Sequence, residues 1–149
     1  MLRIRCILVP VDQTHLAEHV LDGALTMAER FDASLRVLFV RLEAALPHMD
    51  DEEVAVTLRG LQDLVESRRL IGHTLPKDRI TVELRTGAAD QAILQAASEG
   101  GCDLIIMGTH GRKGMMDWLR GSTTERVLVN TGAQMMILRE RDEQDESDG

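Results

Sequence analysis

The sequence predicts a single α/β domain with a doubly wound, five-stranded parallel sheet. Short apolar runs alternate from end to end with longer segments whose apolar residues recur at helical spacing, which indicates a parallel sheet covered by helices on both faces. Three of the runs are almost continuously apolar, as interior strands of such a sheet are. The chain has 149 residues, enough for one domain to bury its own core.

The strand order follows from the polarity of the runs and from their connections. Strands one, two and four are the continuously apolar ones, whereas strand three alternates apolar and polar residues and is therefore placed at an edge. Right-handed crossovers then give the order 3-2-1-4-5, with a switch point between strands one and four. Pro10 and Asp12 are expected to end strand one. The predicted strands are Ile4–Val9, Leu35–Val40, Ile80–Arg85, Leu104–Met107 and Met135–Leu138.

The first two helices are predicted from apolar stripes at helical spacing. Thr14 is the candidate N-cap of helix one, and helix two, near Asp51–Ile71, opens with acidic residues 50–53 that suit the helix dipole. The expected core residues of helix one are Leu16, Val20, Ala24, Met27 and Phe31. Those of helix two are Val54, Leu58, Leu61 and Val65.

Glycines and a capping pattern bound the last two helices. Helix three is expected over Ala88–Glu99, where the glycine pair 100–101 ends it. A short fourth helix is expected to open at Ser122, which has capping-box spacing to Glu125, and to stop at Gly132.

Strand five is predicted at the edge of the sheet opposite strand three. Its residues are apolar on both faces, and an exposed apolar edge invites pairing with another chain. We therefore expect a homodimer through strand five, with coverage by helices of the same chain as the alternative. The residues of this edge are Met135, Met136, Ile137 and Leu138.

Composition excludes several classes of function. The chain has no Tyr, one Trp and two Phe, too few aromatic residues for a single-stranded nucleic-acid platform, and its net charge of −8 disfavours a duplex-binding surface. No apolar segment approaches the ~20 residues of a membrane helix, and the first residues carry no signal-peptide pattern. We therefore expect a soluble cytoplasmic protein that binds neither nucleic acid nor membrane.

Much of the net negative charge lies at the carboxyl terminus. Residues 142–149 carry five acids and no base, so the domain is expected to span 1–139 and residues 140–149 to form an acidic, disordered tail. The two cysteines, Cys6 and Cys102, are expected to be buried free thiols and not a disulfide or a metal site.

A glycine-punctuated loop follows strand four. Gly108, Gly111 and Gly121 mark it, and Ser122 opens the helix behind it. Because glycine permits positive φ and close backbone approach, such a loop can turn N–H groups toward a phosphate chain. Asp12 follows strand one across the switch point, so Asp12 is assigned to the nucleoside and the loop to the phosphates.

Other readings of these residues stay open at this point. The loop could make tight turns only, Asp12 could be a helix N-cap, and Ser122 could cap the last helix with or without a ligand. Arg112 and Lys113 could be solvated or could contact phosphate. The chain has neither a P-loop motif nor the dinucleotide fingerprint after strand one, which excludes those two phosphate sites.

The chain resembles the universal stress proteins over residues 1–139, and specifically their ATP-binding branch. The resemblance rests on Val9-Pro10-Val11-Asp12, on Val40 and on the spacing Gly108-x2-Gly111-x9-Gly121-Ser122. It implies an adenine nucleotide alpha-hydrolase-like fold, a dimer through strand five, and ATP or another adenine nucleotide, with Mg²⁺, as ligand. Family members often have Cys-Pro entering strand five, where this chain has Ala133-Gln134, and Gln134 restores a backbone donor that would let the strand pair one residue earlier.

The resemblance also implies a set of binding residues. Asp12 and the backbone of Val40 would meet adenosine, and the glycines of the loop with the helix start would meet ribose and phosphates. The full implied set is Pro10, Val11, Asp12, Val40, Met107, Gly108, Thr109, His110, Gly111, Arg112, Lys113, Gly121, Ser122 and Thr123. No catalytic residue and no protein metal ligand is assigned.

The function predicted from these observations is an ATP-binding stress or regulatory protein that acts as a homodimer. Binding would order the loop and change the surface offered to a regulatory protein partner. One rival is a slow ATPase or nucleotidyl transferase, whose turnover would be weak because no water-positioning carboxylate or amide is evident near the loop. Another is a dimeric scaffold that binds no nucleotide.

Overall fold

All five strands of the sheet are parallel and lie in the predicted order. The structure, a computed structural model, describes residues 1–11, 16–41, 48–109 and 122–139. The sheet order is β3-β2-β1-β4-β5, which confirms the predicted topology and the edge position of strand three. The strands are β1 Cys6–Val11, β2 Ser34–Arg41, β3 Ile80–Thr86, β4 Leu104–Thr109 and β5 Gln134–Arg139. The helices are α1 Leu16–Phe31, α2 Asp51–Arg69, α3 Ala89–Gly100 and α4 Ser122–Asn130, with a 3-10 helix at Lys77–Arg79.

The central strand continues further than the sequence suggested. Pro10 was expected to end strand one, and that expectation was wrong, because β1 runs to Val11 and Pro10 stands in register with Leu38 of β2. Proline has φ fixed at about −65° and no N–H donor, so it is tolerated near a strand end where no neighbouring strand needs that donor. All six residues of β1 are buried.

Helix α1 supplies the largest helical contribution to the core. Val20 and Ala24 have no exposed surface, as predicted, and Met27 is half-buried. Leu21 and Leu25, which were not in the predicted stripe, are also fully buried. Phe31 was wrongly placed in the core, since it is 43% exposed. It is the final residue of α1, where the chain leaves the sheet surface to turn into β2.

Helix α2 lies over the β3 side of the sheet and buries little. Leu61 and Val65 are its buried residues, whereas Val54, expected in the core, is exposed in the first turn. The first turn is instead fixed by a capping box. The Glu53 N–H donates to Asp50 Oδ1 at 2.8 Å, and the Asp50 N–H donates to Glu53 Oε2 at 2.9 Å.

The termini of the last two helices agree with the predictions. Gly101 caps α3 in the left-handed region at φ 61°, which favours glycine. Helix α4 begins at Ser122 as predicted and ends at Asn130, two residues before Gly132. The side chain of Ser122 lies outside the described residues, so its capping box with Glu125 stays a prediction. No helix in the described ranges has the length and apolarity needed to span a bilayer.

Strand β5 forms the far edge and starts where Gln134 allows it to. The Gln134 N–H donates to the Asp103 carbonyl at 2.8 Å, and Gln134 is in register with Leu104. A proline at this position would lack that donor. Met135, Met136 and Leu138 pack against the core, whereas Ile137 is 44% exposed.

The two cysteines meet at the amino edge of the sheet. Both are free thiols, as predicted, but only Cys6 is buried and Cys102 is half-exposed. Their sulfurs lie 3.0 Å apart although 96 residues separate them in the chain. No local pattern in the sequence predicted this contact.

Two helical glycines differ in what surrounds them, which gives a matched test of packing. A Cβ on Gly23 of α1 would overlap Leu138 Cδ1 of β5, whereas a Cβ on Gly60 of α2 would meet nothing within 4 Å. We expect Gly60→Ala to raise the free energy of unfolding by about 0.5–1 kcal/mol through helix propensity. Gly23→Ala gains the same propensity but displaces the Cδ1 methyl of Leu138, so its free energy of unfolding should lie about 1–2 kcal/mol below that of Gly60→Ala.

Urea unfolding of both variants at one protein concentration checks this difference. The double variant Gly23→Ala, Leu138→Ala should lose the clash, so the alanine at position 23 should cost less on that background. Equal effects of the two single substitutions would contradict the close packing of α1 on β5.

Candidate functional site

The carboxyl ends of the parallel strands lie along one side of the sheet, called here the carboxyl edge. The predicted nucleotide-binding residues that the structure describes lie there. Strand ends bring together residues from β1, β2 and β4, and the start of α4 follows β4 in the chain. In parallel sheets this edge, beside the switch point, is the usual place for a ligand. The described residues of the set are Pro10, Val11, Val40, Met107, Gly108, Thr109, Ser122 and Thr123.

The two central strands stop pairing before they reach this edge. Between β1 and β4 the register covers only Ile7 with Leu104 and Leu8 with Ile105. On its other side, β1 pairs with β2 over its full length. Residues 9–11 of β1 therefore have no partner in β4, and Pro10 has no N–H to contribute to such a ladder. The backbone ladder between the two strands therefore ends before the switch point.

Burial separates the residues that can offer a side chain from those that can offer only backbone. Val11 and Met107 are fully buried, so their side chains belong to the core. Val40 is half-buried near the end of β2, and Gly108 is buried where β4 approaches its end. A ligand at this edge would meet mainly the main chain of these strands.

Several predicted residues cannot be placed by the structure. Outside the described residues lie Asp12, His110, Gly111, Arg112, Lys113 and Gly121. The side chains of Thr109 and Ser122 are likewise not described. Their roles therefore remain predictions.

Helix α4 presents a buried hydroxyl that the sequence analysis did not single out. Thr124 Oγ1 is buried in the first turn and has no hydrogen-bond partner among the described residues. A buried hydroxyl without a partner is costly, so it suits a site that a ligand or water completes. The signal was available, because Thr124 stands one helical turn before Val127, the fully buried residue of α4.

The described arginine near the end of β3 is already engaged by carboxylates. Arg85 donates to Glu99 at 2.5 Å and to Glu83 at 3.2 Å. The hydrogen bond from Arg85 holds the pKa of Glu99 below its ordinary value, and the same bond raises the pKa of Arg85. The positive charge of Arg85 is therefore neutralised within the protein. Among residues that the structure describes, no group of three His, Cys, Asp or Glu side chains is arranged to hold a metal ion.

Two surface depressions lined by described residues lie away from this edge. One of about 500 Å³ lies between α2 and the start of β3, beside Lys77 and Thr81. The other, of about 340 Å³, lies beside Cys102 and the turn into β5. Neither is lined by the predicted nucleotide-binding residues.

Comparison with known proteins gives a family and a fold. The sequence model of the universal stress protein family matches residues 3–139. Universal stress protein MJ0531 of Methanocaldococcus jannaschii is 26% identical, over 89% of this chain and 81% of that protein.

Solved structures share the fold. A universal stress protein in complex with cAMP has a TM-score of 0.64 at 20% identity, covering 93% of this chain and 99% of that one. The universal stress protein from Archaeoglobus fulgidus in complex with dAMP has a TM-score of 0.55 at 18% identity, covering 92% and 98%. These likenesses establish the five-stranded parallel architecture.

Two threonines near the ends of α4 provide a matched test of the unpartnered hydroxyl. Thr131 Oγ1 accepts the Ala133 N–H at 3.1 Å, whereas Thr124 Oγ1 has no described partner. We expect Thr124→Val to raise the free energy of unfolding of nucleotide-free protein by about 1 kcal/mol, since it removes a buried orphan. Thr131→Val should lower it by about 0.5–1.5 kcal/mol, because a hydrogen bond is lost. Urea unfolding checks both, and destabilisation by Thr124→Val would show that its hydroxyl is already satisfied.

Proposed function

Because the chain belongs to the universal stress protein family, we propose that it binds an adenine nucleotide, ATP as its Mg²⁺ complex, between the carboxyl ends of β1 and β4. In this proposal it acts as a homodimeric regulatory module of the stress response in the cytoplasm. The observation that carries the proposal is the early end of the β1–β4 register, which leaves the last residues of β1 without a partner in β4, the strand after which the Gly108–Gly111–Gly121 spacing begins.

The proposed site divides the nucleotide between two strand ends. Asp12 and the main chain of Val40 hold the nucleoside. The amides of the loop that starts at Gly108, together with the start of α4, hold the phosphates. A bound nucleotide supplies a polyanion, which the open N–H groups of a helix start and the side chains of Arg112 and Lys113 would stabilise.

Two further observations support an adenine nucleotide. The unpartnered hydroxyl of Thr124 lies in the first turn of α4, where a polar ligand could complete it. Two structural neighbours were solved with cAMP and with dAMP, both adenine nucleotides. The hydroxyl could bond to a polar ligand of any kind, whereas the two complexes favour an adenine nucleotide. The function assigned is binding, and ordering of the loop on binding is the step that a regulatory protein partner would sense.

The domain boundaries are part of the same proposal. Residues 1–139 form the nucleotide-binding domain, and residues 140–149 form an acidic tail outside it. The family match over residues 3–139 supports this division.

Nucleotide binding can be tested with a pair of valine variants. We expect denatured, freshly purified protein to release an adenine nucleotide that chromatography identifies. Gly121→Val should weaken ATP binding by at least about 100-fold, or ~2.7 kcal/mol, because a branched Cβ would occupy the phosphate path. Gly132→Val is the control, since a Cβ there meets nothing within 4 Å.

Calorimetric titration with ATP, AMP and cAMP then ranks the ligands, and urea unfolding shows that each variant is folded. Equal affinity in the Gly121→Val and Gly132→Val variants would contradict the assigned phosphate site. If the unmodified chain bound none of these nucleotides, the proposal would be wrong, and a dimeric scaffold that binds no nucleotide would be favoured.

The proposed dimer can be tested by placing a charge on the exposed edge. Ile137 of β5 is 44% exposed and Ile71, after α2, is 61% exposed. We expect sedimentation analysis to show a dimer for the unmodified chain and for Ile71→Asp, and a monomer for Ile137→Asp, because a buried carboxylate would oppose edge pairing. A dimer that Ile137→Asp leaves intact would move the interface away from β5.

A further inference from the structure

The two cysteines of the chain form a contact that the proposed nucleotide site does not use. Cys6 is the first residue of β1, and Cys102 lies in the turn that leads from α3 into β4. Their sulfurs are 3.0 Å apart, about 1 Å more than the S–S bond length of about 2.05 Å in a disulfide. Both lie at the amino ends of the strands, at the opposite end of β1 from the proposed nucleotide site.

The backbone on both sides of the contact is held by hydrogen bonds. The Cys6 N–H donates to Asp103 Oδ2 at 3.1 Å, and the Asp103 N–H donates to the Cys6 carbonyl at 2.9 Å. The Cys102 N–H donates to the Ala97 carbonyl at 2.9 Å. The two thiols are therefore presented to each other by a fixed scaffold, and a small side-chain movement brings the sulfurs to bonding distance.

The surroundings of the pair favour a state in which Cys6 is a thiolate and Cys102 keeps its proton. A hydrogen bond from Cys102 is the main reason that the pKa of Cys6 falls to about 7, against the opposing effect of burial. The Ser34 hydroxyl and the Arg36 guanidinium lower the pKa of Cys6 further, whereas the Asp103 carboxylate raises it. The same contact raises the pKa of Cys102, which keeps the shared proton.

The pair is also reachable from solvent. Cys102 is half-exposed and lines the depression of about 340 Å³ between the end of α3 and the turn into β5. Ser98, Gly101 and Gly132 line the same depression. A molecule as small as a peroxide can therefore approach the pair from the Cys102 side, and the Cys6 sulfur lies 3.0 Å behind the Cys102 sulfur.

We propose that Cys6 and Cys102 form a peroxide-sensitive dithiol that closes reversibly into an intramolecular disulfide. The Cys6 thiolate attacks one oxygen of a hydroperoxide, the O–O bond breaks, and the departing oxygen takes up a proton as water or an alcohol. Cys6 becomes a sulfenic acid. The Cys102 sulfur then attacks the Cys6 sulfur, the S–O bond breaks, and hydroxide leaves with the Cys102 proton as water. Two thiols lose two electrons to the peroxide, and a dithiol reductant reverses the change by exchange.

Intact-mass measurement on the full chain tests the proposal directly, because these are its only two cysteines. Reduced protein treated with a few equivalents of hydrogen peroxide should lose about 2 Da and regain it with dithiothreitol. A non-reducing protease digest should contain one peptide in which Cys6 and Cys102 are joined. Two thiols that stay free, separate oxygen adducts on each cysteine, or a disulfide between two chains would each overturn the proposal.

The pH dependence of peroxide consumption separates a reactive pair from two ordinary thiols. In the unmodified chain the rate should rise through a midpoint near pH 7, since the thiolate reacts and the thiol does not. Cys102→Ala removes the donor, so the midpoint should move up by about 1.5 pH units toward that of an ordinary thiol. The Cys6 sulfenic acid should then persist and be trapped by dimedone.

Cys102→Ser is the matched variant, because its hydroxyl can still donate to Cys6. Its midpoint should lie closer to that of the unmodified chain than the midpoint of Cys102→Ala does. Identical pH profiles for all three proteins would show that Cys102 does not act on Cys6. Nucleotide affinity gives an independent readout, so failure of the nucleotide site and failure of the dithiol are distinguishable.

Discussion

Asp103 holds the amino ends of three strands together, and the geometry of the sheet depends on it. Its carboxylate accepts the N–H groups of Arg5 and Cys6 at 2.7 and 3.1 Å, so it fixes the entry to β1. Its own carbonyl accepts the N–H of Gln134 at the start of β5. Helices connect the parallel strands along the chain, and the hydrogen bonds of Asp103 tie the starts of β1 and β5 to the start of β4. The strands are therefore linked by hydrogen bonds at their amino ends, whereas the pairing of β1 with β4 ends before their carboxyl ends.

Close packing between α1 and β5 positions the start of the glycine loop. Leu138 fills the space that a side chain on Gly23 would need, and Leu138 stands in register with Gly108 of β4. The small residue in α1 thus lets β5 sit close, and β5 in turn places the end of β4. The location of the proposed phosphate site is therefore set by the core and does not depend on the loop alone.

Much of the fold could be predicted from the sequence, because strand polarity and right-handed connections leave few topologies. The apolar periodicity of a helix, however, does not indicate how far the sheet beneath it extends. For this reason Phe31 and Val54 were predicted in the core although both are exposed at helix ends. For the candidate site, the topology predicted that the carboxyl ends of β1, β2 and β4 lie side by side, and the described residues of the site do so. The contact between Cys6 and Cys102 had no local signal, since only the pairing of β1 beside β4 brings them together.

The chain positions of the two thiols have a topological consequence. A bond between their sulfurs would close residues 6–102 into a covalent ring, with β4, α4 and β5 left outside as a tail. Closing a ring of about 100 residues lowers the conformational entropy of the unfolded chain. In the chain-entropy account this stabilises the folded protein by up to about 4.7 kcal/mol. That restriction would fall on β1 to α3 alone, so β4, α4 and β5 would keep their full conformational freedom in the unfolded chain.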